Sequence, residues 1–199
     1  MLTFDHIAVA TTDLAEGTAV IAEKLGVALQ PGGKHAHFGT HNTLLNLGDI
    51  YLEVIAKDPD APATGRLTWF GLDDFTGAPR PANWICRTPD FTGIPPEVGK
   101  PVALQRDNLN WELTVPDDGT LPFQGAYPSL LRWADGTVMP SASLPDRGCR
   151  LVSWTVVHPD AAAIGPTVPL SDDRVQFETG PTPAFRAVIQ TPTGKVTLT

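Results

Sequence analysis

The sequence predicts an α+β fold: two paired βαβββ modules followed by a C-terminal β-rich segment. Three observations carry that prediction. Only one stretch, residues 14–25, has strong helical patterning, whereas short β-prone runs recur along the whole chain. The 20 prolines and 18 glycines are spread through 199 residues, a punctuation that suits many short strands joined by turns and not a helical bundle. The opening of the chain also has a partial copy further on. His6-Ile7-Ala8-Val9-Ala10-Thr11-Thr12-Asp13-Leu14 and Asn83-Trp84-Ile85-Cys86-Arg87-Thr88-Pro89-Asp90-Phe91 share a strand, a Thr-x-Asp step and an apolar residue. Small repeated units that cannot close a core alone are expected to pack on each other.

In order along the chain, residues 3–10 read as a strand, with Phe4, His6, Ala8 and Ala10 on one face and Asp5, Ile7 and Val9 on the other. Asp13 is a helix N-cap with Glu16 completing a capping-box-like start. Leu14, Ile21 and Leu25 form one apolar stripe, and Gly26 stops the helix. Strands are expected at 27–30 running towards 35–39, at 43–47 and at 50–56. Gly32-Gly33 is read as a turn and Gly48-Asp49 as a hairpin. Residues 58–81 form a Pro/Gly-rich connection with a short helix over 67–75. The second module, 82–135, has a helix cut short by Gly93, Pro95 and Pro96 and strands at 101–106, 109–115 and 129–134. The segment 136–199 carries strands at 151–157, 174–178, 184–191 and 195–199, packed on the same domain. The first module spans 1–57.

Charge and composition exclude several classes. Twenty-two acidic against 14 basic residues give a net charge of -8, which argues against nucleic-acid binding, since phosphate needs a basic face. No apolar run is long enough to span a bilayer and no signal peptide is visible, so no membrane partner is expected and the compartment is read as cytoplasmic. Hydrophobic residues at 42% supply a core. The two cysteines, Cys86 and Cys149, form no metal-binding motif; two reduced thiols are the favoured reading, with one disulfide as the alternative. No GxGxxG, P-loop or Gly-x-Ser-x-Gly pattern occurs, and the His37–His41 spacing lacks the HExxH context of a zinc protease.

His6 and Glu53 are the most informative pair. Each is a polar group inside an apolar strand, and a buried imidazole or carboxylate is costly unless paired, hydrogen-bonded or metal-bound. They sit in Phe4-Asp5-His6-Ile7 and Tyr51-Leu52-Glu53-Val54-Ile55, with Phe38-Gly39-Thr40-His41-Asn42-Thr43-Leu44-Leu45 between them. On these residues, in this order and spacing, the chain resembles the vicinal oxygen chelate superfamily, which includes glyoxalase I, extradiol dioxygenases and bleomycin-resistance proteins. Within that superfamily it looks most like the glyoxalase-like domain proteins. The likeness is carried by residues 2–57. It implies sheets of paired βαβββ modules curled around a cleft. In metal-dependent members the first strand supplies a histidine and the fourth a glutamate, and the partner module supplies a matching pair. His6 and Glu53 match the first pair. Asn83 stands where the second histidine belongs, and Ser129-Leu130-Leu131-Arg132-Trp133 contains no carboxylate.

With that departure, a divalent metal (Fe, Mn, Zn or Ni) would use His6, Glu53 and one of His37 or His41, with water in the open positions. It would polarise adjacent oxygens of a substrate; unligated, Glu53 would instead serve as a base. Arg132 is read either as an inward cation for an acidic substrate or as a solvated strand edge. Trp111 and Trp133 are candidate pocket walls, although strand tryptophans are more often core. The competing readings make His6 a sheet-internal hydrogen-bonding group, place His35 and His37 in an exposed loop, and make His41 a turn residue. Three functions follow: a glyoxalase-like lyase, isomerase or dioxygenase acting on a small oxygen-rich or aromatic molecule; a metal-free small-molecule binder; or a scaffold or homodimerisation domain.

Overall fold

A computed structural model describes residues 1–199. The first module runs β1 (Thr3–Ala10), α1 (Leu14–Leu25), β2 (Gln30–His35), β3 (Thr40–Asn46) and β4 (Tyr51–Lys57). The second runs β5 (Arg80–Arg87), β6 (Lys100–Arg106), β7 (Leu109–Val115) and β8 (Ser129–Trp133). Together they form one eight-stranded sheet in the order β2-β3-β4-β1-β5-β8-β7-β6. The modules join where β1 pairs antiparallel with β5, and in each the first strand lies parallel to the last. The remaining strands, β9 (Arg150–His158), β10 (Val175–Thr179), β11 (Ala184–Thr191) and β12 (Gly194–Leu198), make a second sheet in the order β10-β9-β11-β12. No helix is long and apolar enough to cross a membrane.

Helix α1 has the capping that its sequence predicts. The Asp13 carboxylate accepts from the Glu16 N–H at 2.8 Å, and Gly26 ends the helix at φ 67°. Ile21 and Leu25 are fully buried, and Leu14 packs at the cluster edge. Gly17 lies against Thr11, where a Cβ would come within 2.5 Å of the threonine side chain, so the helix approaches the sheet by lacking one.

Four sequence expectations need correction. Gly32-Gly33 is not a turn but a bulge inside β2, between Pro31 and Lys34. The helix expected over 67–75 is reduced to a 3-10 turn at Trp69–Gly71, because Phe70 takes φ 60° and breaks the run. The second module keeps only a 3-10 turn at Pro96–Val98 in place of its helix. The faces of β1 also differ. A register shift between Phe4 and His6 makes Asp5 an extra residue opposite β5. Phe4 therefore joins Ile7 and Val9 on the outer face, and Asp5 is free to partner His6.

The two faces of the large sheet feed two separate cores. The outer face contributes Phe4, Ile7, Val9, Leu52, Trp84 and Leu130, which pack with α1 and with Leu151, Trp154, Val156, Ala187 and Ile189 of the second sheet. The concave face carries Ala8, Ile55, Ile85, Leu113 and Leu131, and the connection between modules plugs it with Trp69, Phe70 and Leu72. The rings of Phe38 and Trp69 stack with centroids 4.3 Å apart. Arg106, at the end of β6, reaches across to β2, so the two sheet edges are tied by one side chain.

Candidate functional site

On the concave face, His6, Glu53 and Tyr51 share a narrow cleft with His35, Asn42, Arg106, Trp69, Trp111 and Trp133. The parallel β1–β4 register sets His6 beside Tyr51 and Ala8 beside Glu53. His6 Nε2 lies 3.8 Å from Glu53 Oε2, and the His6 ring stacks on Tyr51 with centroids 4.4 Å apart. The free volume between these side chains is about 30 Å³, room for little more than a water molecule.

Each member of the pair is oriented by a partner that sequence reasoning did not single out. Asp5 Oδ1 sits 2.6 Å from His6 Nδ1. A carboxylate at that distance accepts the hydrogen bond from Nδ1 and turns Nε2 towards Glu53. Asp5 is 3% exposed and is itself held: Trp133 Nε1 donates to its other oxygen at 3.1 Å, and Arg87 Nε lies 3.2 Å away. Glu53 Oε1 accepts from the Asn42 side-chain amide at 2.5 Å. The Asn42 amide orientation is settled on its far side, where Oδ1 accepts from Gly33 N at 2.8 Å and from Arg106 Nη1 at 3.1 Å. The bulge glycines make this possible, because a Cβ on Gly32 would stand 1.9 Å from Asn42 Oδ1.

His35 completes the network. Its Nε2 faces two donors, Arg106 Nη1 at 3.0 Å and the Asn42 amide at 3.4 Å, while Nδ1 meets Thr40 Oγ1 at 3.0 Å. Burial, then the Arg106 charge, pull its pKa down to about 3, so the ring is neutral and Nδ1 carries the proton. Burial and the Asp5 and Glu53 charges push the Tyr51 phenol well above its ordinary value.

The structure divides the candidates from the sequence. His6 and Glu53 converge. His41 does not join them: alternation along β3 turns Asn42 and Leu44 into the cleft and His41 out. His37 lies half-buried in the turn after β2, outside the cleft, with its Nε2 2.5 Å from Arg66 Nη1. The histidine that enters is His35, which the sequence placed in a loop. Trp111 and Trp133 do wall the cleft. Arg132 does not enter it. It projects outwards, donates through Nε and Nη2 to Glu112 Oε2 at 2.8 and 2.5 Å, and lies over the Phe91 ring. Asp5, Asn42 and Arg106 were missed. Asp5 adjoins His6 in sequence, but only the bulge turns it to the imidazole; Asn42 needed the strand register, and Arg106 the closure of the sheet.

The second module holds the mirror image of the His6–Glu53 pair with different chemistry. His6 pairs with Ile85 and Ala8 with Asn83, so Asn83 occupies on β5 the position that His6 occupies on β1. By the same relation, Ala8 beside Glu53 becomes Ile85 beside Ser129. Asn83 donates to Ser129 Oγ at 3.0 Å and is fully buried. Asn83 and Ser129 thus stand in place of a second His/Glu pair, and they satisfy each other. The donor set for a metal stops at His6 Nε2 and one Glu53 oxygen. No group of three or more His, Cys, Asp or Glu side chains is arranged to hold an ion, and Asn42 turns its N–H rather than its oxygen to the cleft. Two protein donors do not fit a resident, tightly held cation.

No curated protein matches the chain. Among solved structures, a hypothetical protein from Staphylococcus aureus is similar over 92% of this chain and 88% of its own, at TM-score 0.64 and 16% identity. Methylmalonyl-CoA epimerase from Streptomyces coelicolor, in complex with 2-nitronate-propionyl-CoA, covers 69% of this chain with 99% of its own, at TM-score 0.46 and 16% identity. The epimerase from Mycobacterium tuberculosis covers 66% with 86%, at TM-score 0.40 and 16% identity. At these identities the likeness is one of fold. Residues 4–168 match the family described as the glyoxalase-like domain. With paired βαβββ-type modules around a cleft and that match over most of its length, the chain belongs to the glyoxalase-like domain family of the vicinal oxygen chelate superfamily.

Proposed function

We propose that this chain acts on a small oxygen-bearing molecule by proton transfer, with Glu53 and His6 Nε2 as the two proton-transfer groups and without a resident metal. One observation carries the reading: Asp5 holds His6 through Nδ1, and His6 Nε2 and one Glu53 oxygen then face the same cleft. The Nδ1 proton is committed to Asp5, which leaves Nε2 to exchange a proton at the cleft. Asn42 occupies one oxygen of Glu53 and leaves the other facing the gap. A carboxylate and an imidazole facing one cleft are proton-transfer groups of the kind that enolisation or isomerisation next to a carbonyl uses. Arg106, held by His35 and Asn42, adds a fixed positive charge that favours an anionic intermediate. The aromatic walls limit the water that can enter and so strengthen these interactions. The free, buried thiols of Cys86 and Cys149 fit a reducing compartment such as the cytoplasm.

A second reading, a binder without turnover, is favoured by the replacement of the second pair with Asn83 and Ser129. The two are separated by screening small carbonyl, catechol and aromatic compounds by thermal shift and turnover, with and without Fe(II), Mn(II), Zn(II) or Ni(II). Turnover without metal that is abolished in Glu53→Gln, with the fold kept, is the expected result. Ligand shifts that survive Glu53→Gln without any turnover would transfer the chain to the binder reading. Turnover that needs added metal would overturn the metal-free mechanism.

A further inference from the structure

The cleft that holds His6 and Glu53 has a free volume of only about 30 Å³, but a groove of about 840 Å³ opens directly beside it. The two spaces share Trp111 and Trp133, whose rings stand 5.8 Å apart at 52°. Trp133 is fixed through its indole N–H to Asp5. The outer groove has the capacity typical of a small-molecule site, so a substrate larger than a few atoms would lie there and direct its reacting end past the Trp111–Trp133 pair.

The groove has one cation whose hydrogen-bond donors the protein leaves largely unused. Arg132 is neutralised by Glu112. Asp135 is exposed at the rim. Arg87, from the end of β5, is 26% exposed and pairs in charge with the buried Asp5, but its terminal nitrogens lack a good acceptor. Its Nη1 meets only the Met139 sulfur, and its Nη2 reaches the Phe4 carbonyl at 3.4 Å. Its Nε lies 3.2 Å from Asp5 Oδ2 but off the hydrogen-bond axis, so that buried N–H has no partner. A thioether is a weak acceptor, and a guanidinium fork is shaped for two oxygens of one anion.

We infer that the groove is a subsite for the anionic end, a carboxylate or a phosphate, of an aromatic or similarly flat molecule, with Arg87 as its anchor and Met139 as the side chain it displaces. This rests on the proposed function for where the other end goes, but the subsite itself does not depend on any turnover. Anchoring there also couples the two ends, because Arg87, Trp133 and His6 all converge on Asp5.

The test titrates the full chain with benzoate, phenyl phosphate and neutral benzamide, followed by tryptophan fluorescence and thermal shift. At least one anion is expected to bind tenfold or more tightly than benzamide, with an affinity that falls as salt is raised. Benzoate binding the tighter assigns a carboxylate, and phenyl phosphate a phosphate. Arg87→Gln should remove the preference for anions while leaving benzamide unchanged, and Arg87→Lys should keep part of it. Met139→Ala leaves the Arg87–Asp5 contact intact and should tighten anion binding severalfold by freeing Nη1, which keeps the test valid if Arg87→Gln folds poorly. Anions binding no better than benzamide, a preference that survives Arg87→Gln, or no gain in Met139→Ala would each overturn the assignment. Anion binding that persists in Glu53→Gln supports the subsite even if the proton-transfer chemistry proves wrong.

Discussion

Asp5 decides what His6 can do. Three groups, the His6 imidazole, the Trp133 indole and the Arg87 guanidinium, share its two oxygens while it is almost wholly buried. Asp5→Asn keeps the shape and removes the charge. It should cost about 2–3 kcal/mol, because a charge-assisted bond is lost and Arg87 is left without its counter-ion. Urea unfolding would measure that loss, and nitrogen NMR of His6 would show a mixed tautomer where the native protein has its proton on Nδ1. His35 sets a pH limit of a different kind. Its folded pKa, about 3, lies below the unfolded value of 6.5. The unfolded chain therefore binds the extra proton first. Stability is complete above pH 6.5 and declines as pH falls towards 3, by at most about 1.4 kcal/mol per pH unit. The expected result is a flatter pH–stability curve for His35→Gln between pH 6.5 and 4; an identical slope in both proteins would refute this account. Of these site residues, His6 and Glu53 were legible in the sequence because a polar side chain in an apolar strand is a local anomaly. His35 was not, since its burial depends on Trp69 and Trp111, which come from distant segments.

At the scale of elements, α1 was legible to the residue, because its start, stripe and stop are written within the helix and its caps. Asp13→Ala should cost about 1 kcal/mol, measured by thermal or chemical unfolding, with the site unchanged. β2 is the opposite case. Its Gly32-Gly33 reads as a turn by every local rule, yet the glycines sit in a paired strand because Asn42 must approach that backbone. Gly32→Ala would push Asn42 off Glu53. A loss of turnover or of ligand binding at the His6–Glu53 cleft, out of proportion to a modest fall in stability, is expected. Full function in Gly32→Ala would show that Asn42 does not position Glu53. The loop turn at Trp69–Gly71 was misread as a longer helix for a related reason. Its Phe70 adopts a left-handed backbone conformation while Trp69 and Phe70 are buried on the concave face, a choice made by packing and not by propensity.

For the whole molecule, the C-terminal sheet acts as the cover of the outer face. Leu151, Trp154, Val156 and Ile189 belong to the same core as Trp84, Ile7 and Val9, and Arg174 ties the sheet to Asp49 in the β3–β4 hairpin through two 2.8 Å bonds. A chain ending at residue 148 should therefore be aggregated or bind hydrophobic dyes, because it exposes the fully buried Trp84; a soluble truncated chain with cooperative unfolding would contradict this. The sequence by itself determined the strands other than β2, the one long helix, the repeat of the opening unit and the loss of the second His/Glu pair. Each of these is set by periodicity, caps or residue identity over a few neighbours. Only the tertiary structure decided which histidine enters the cleft, that Asp5 turns to meet His6, that Asn83 and Ser129 close the second site, and that Arg132 is spent on the surface while Arg87 is not. Those outcomes depend on strand register, a bulge and sheet closure, where a shift of one residue sends a side chain to the opposite face.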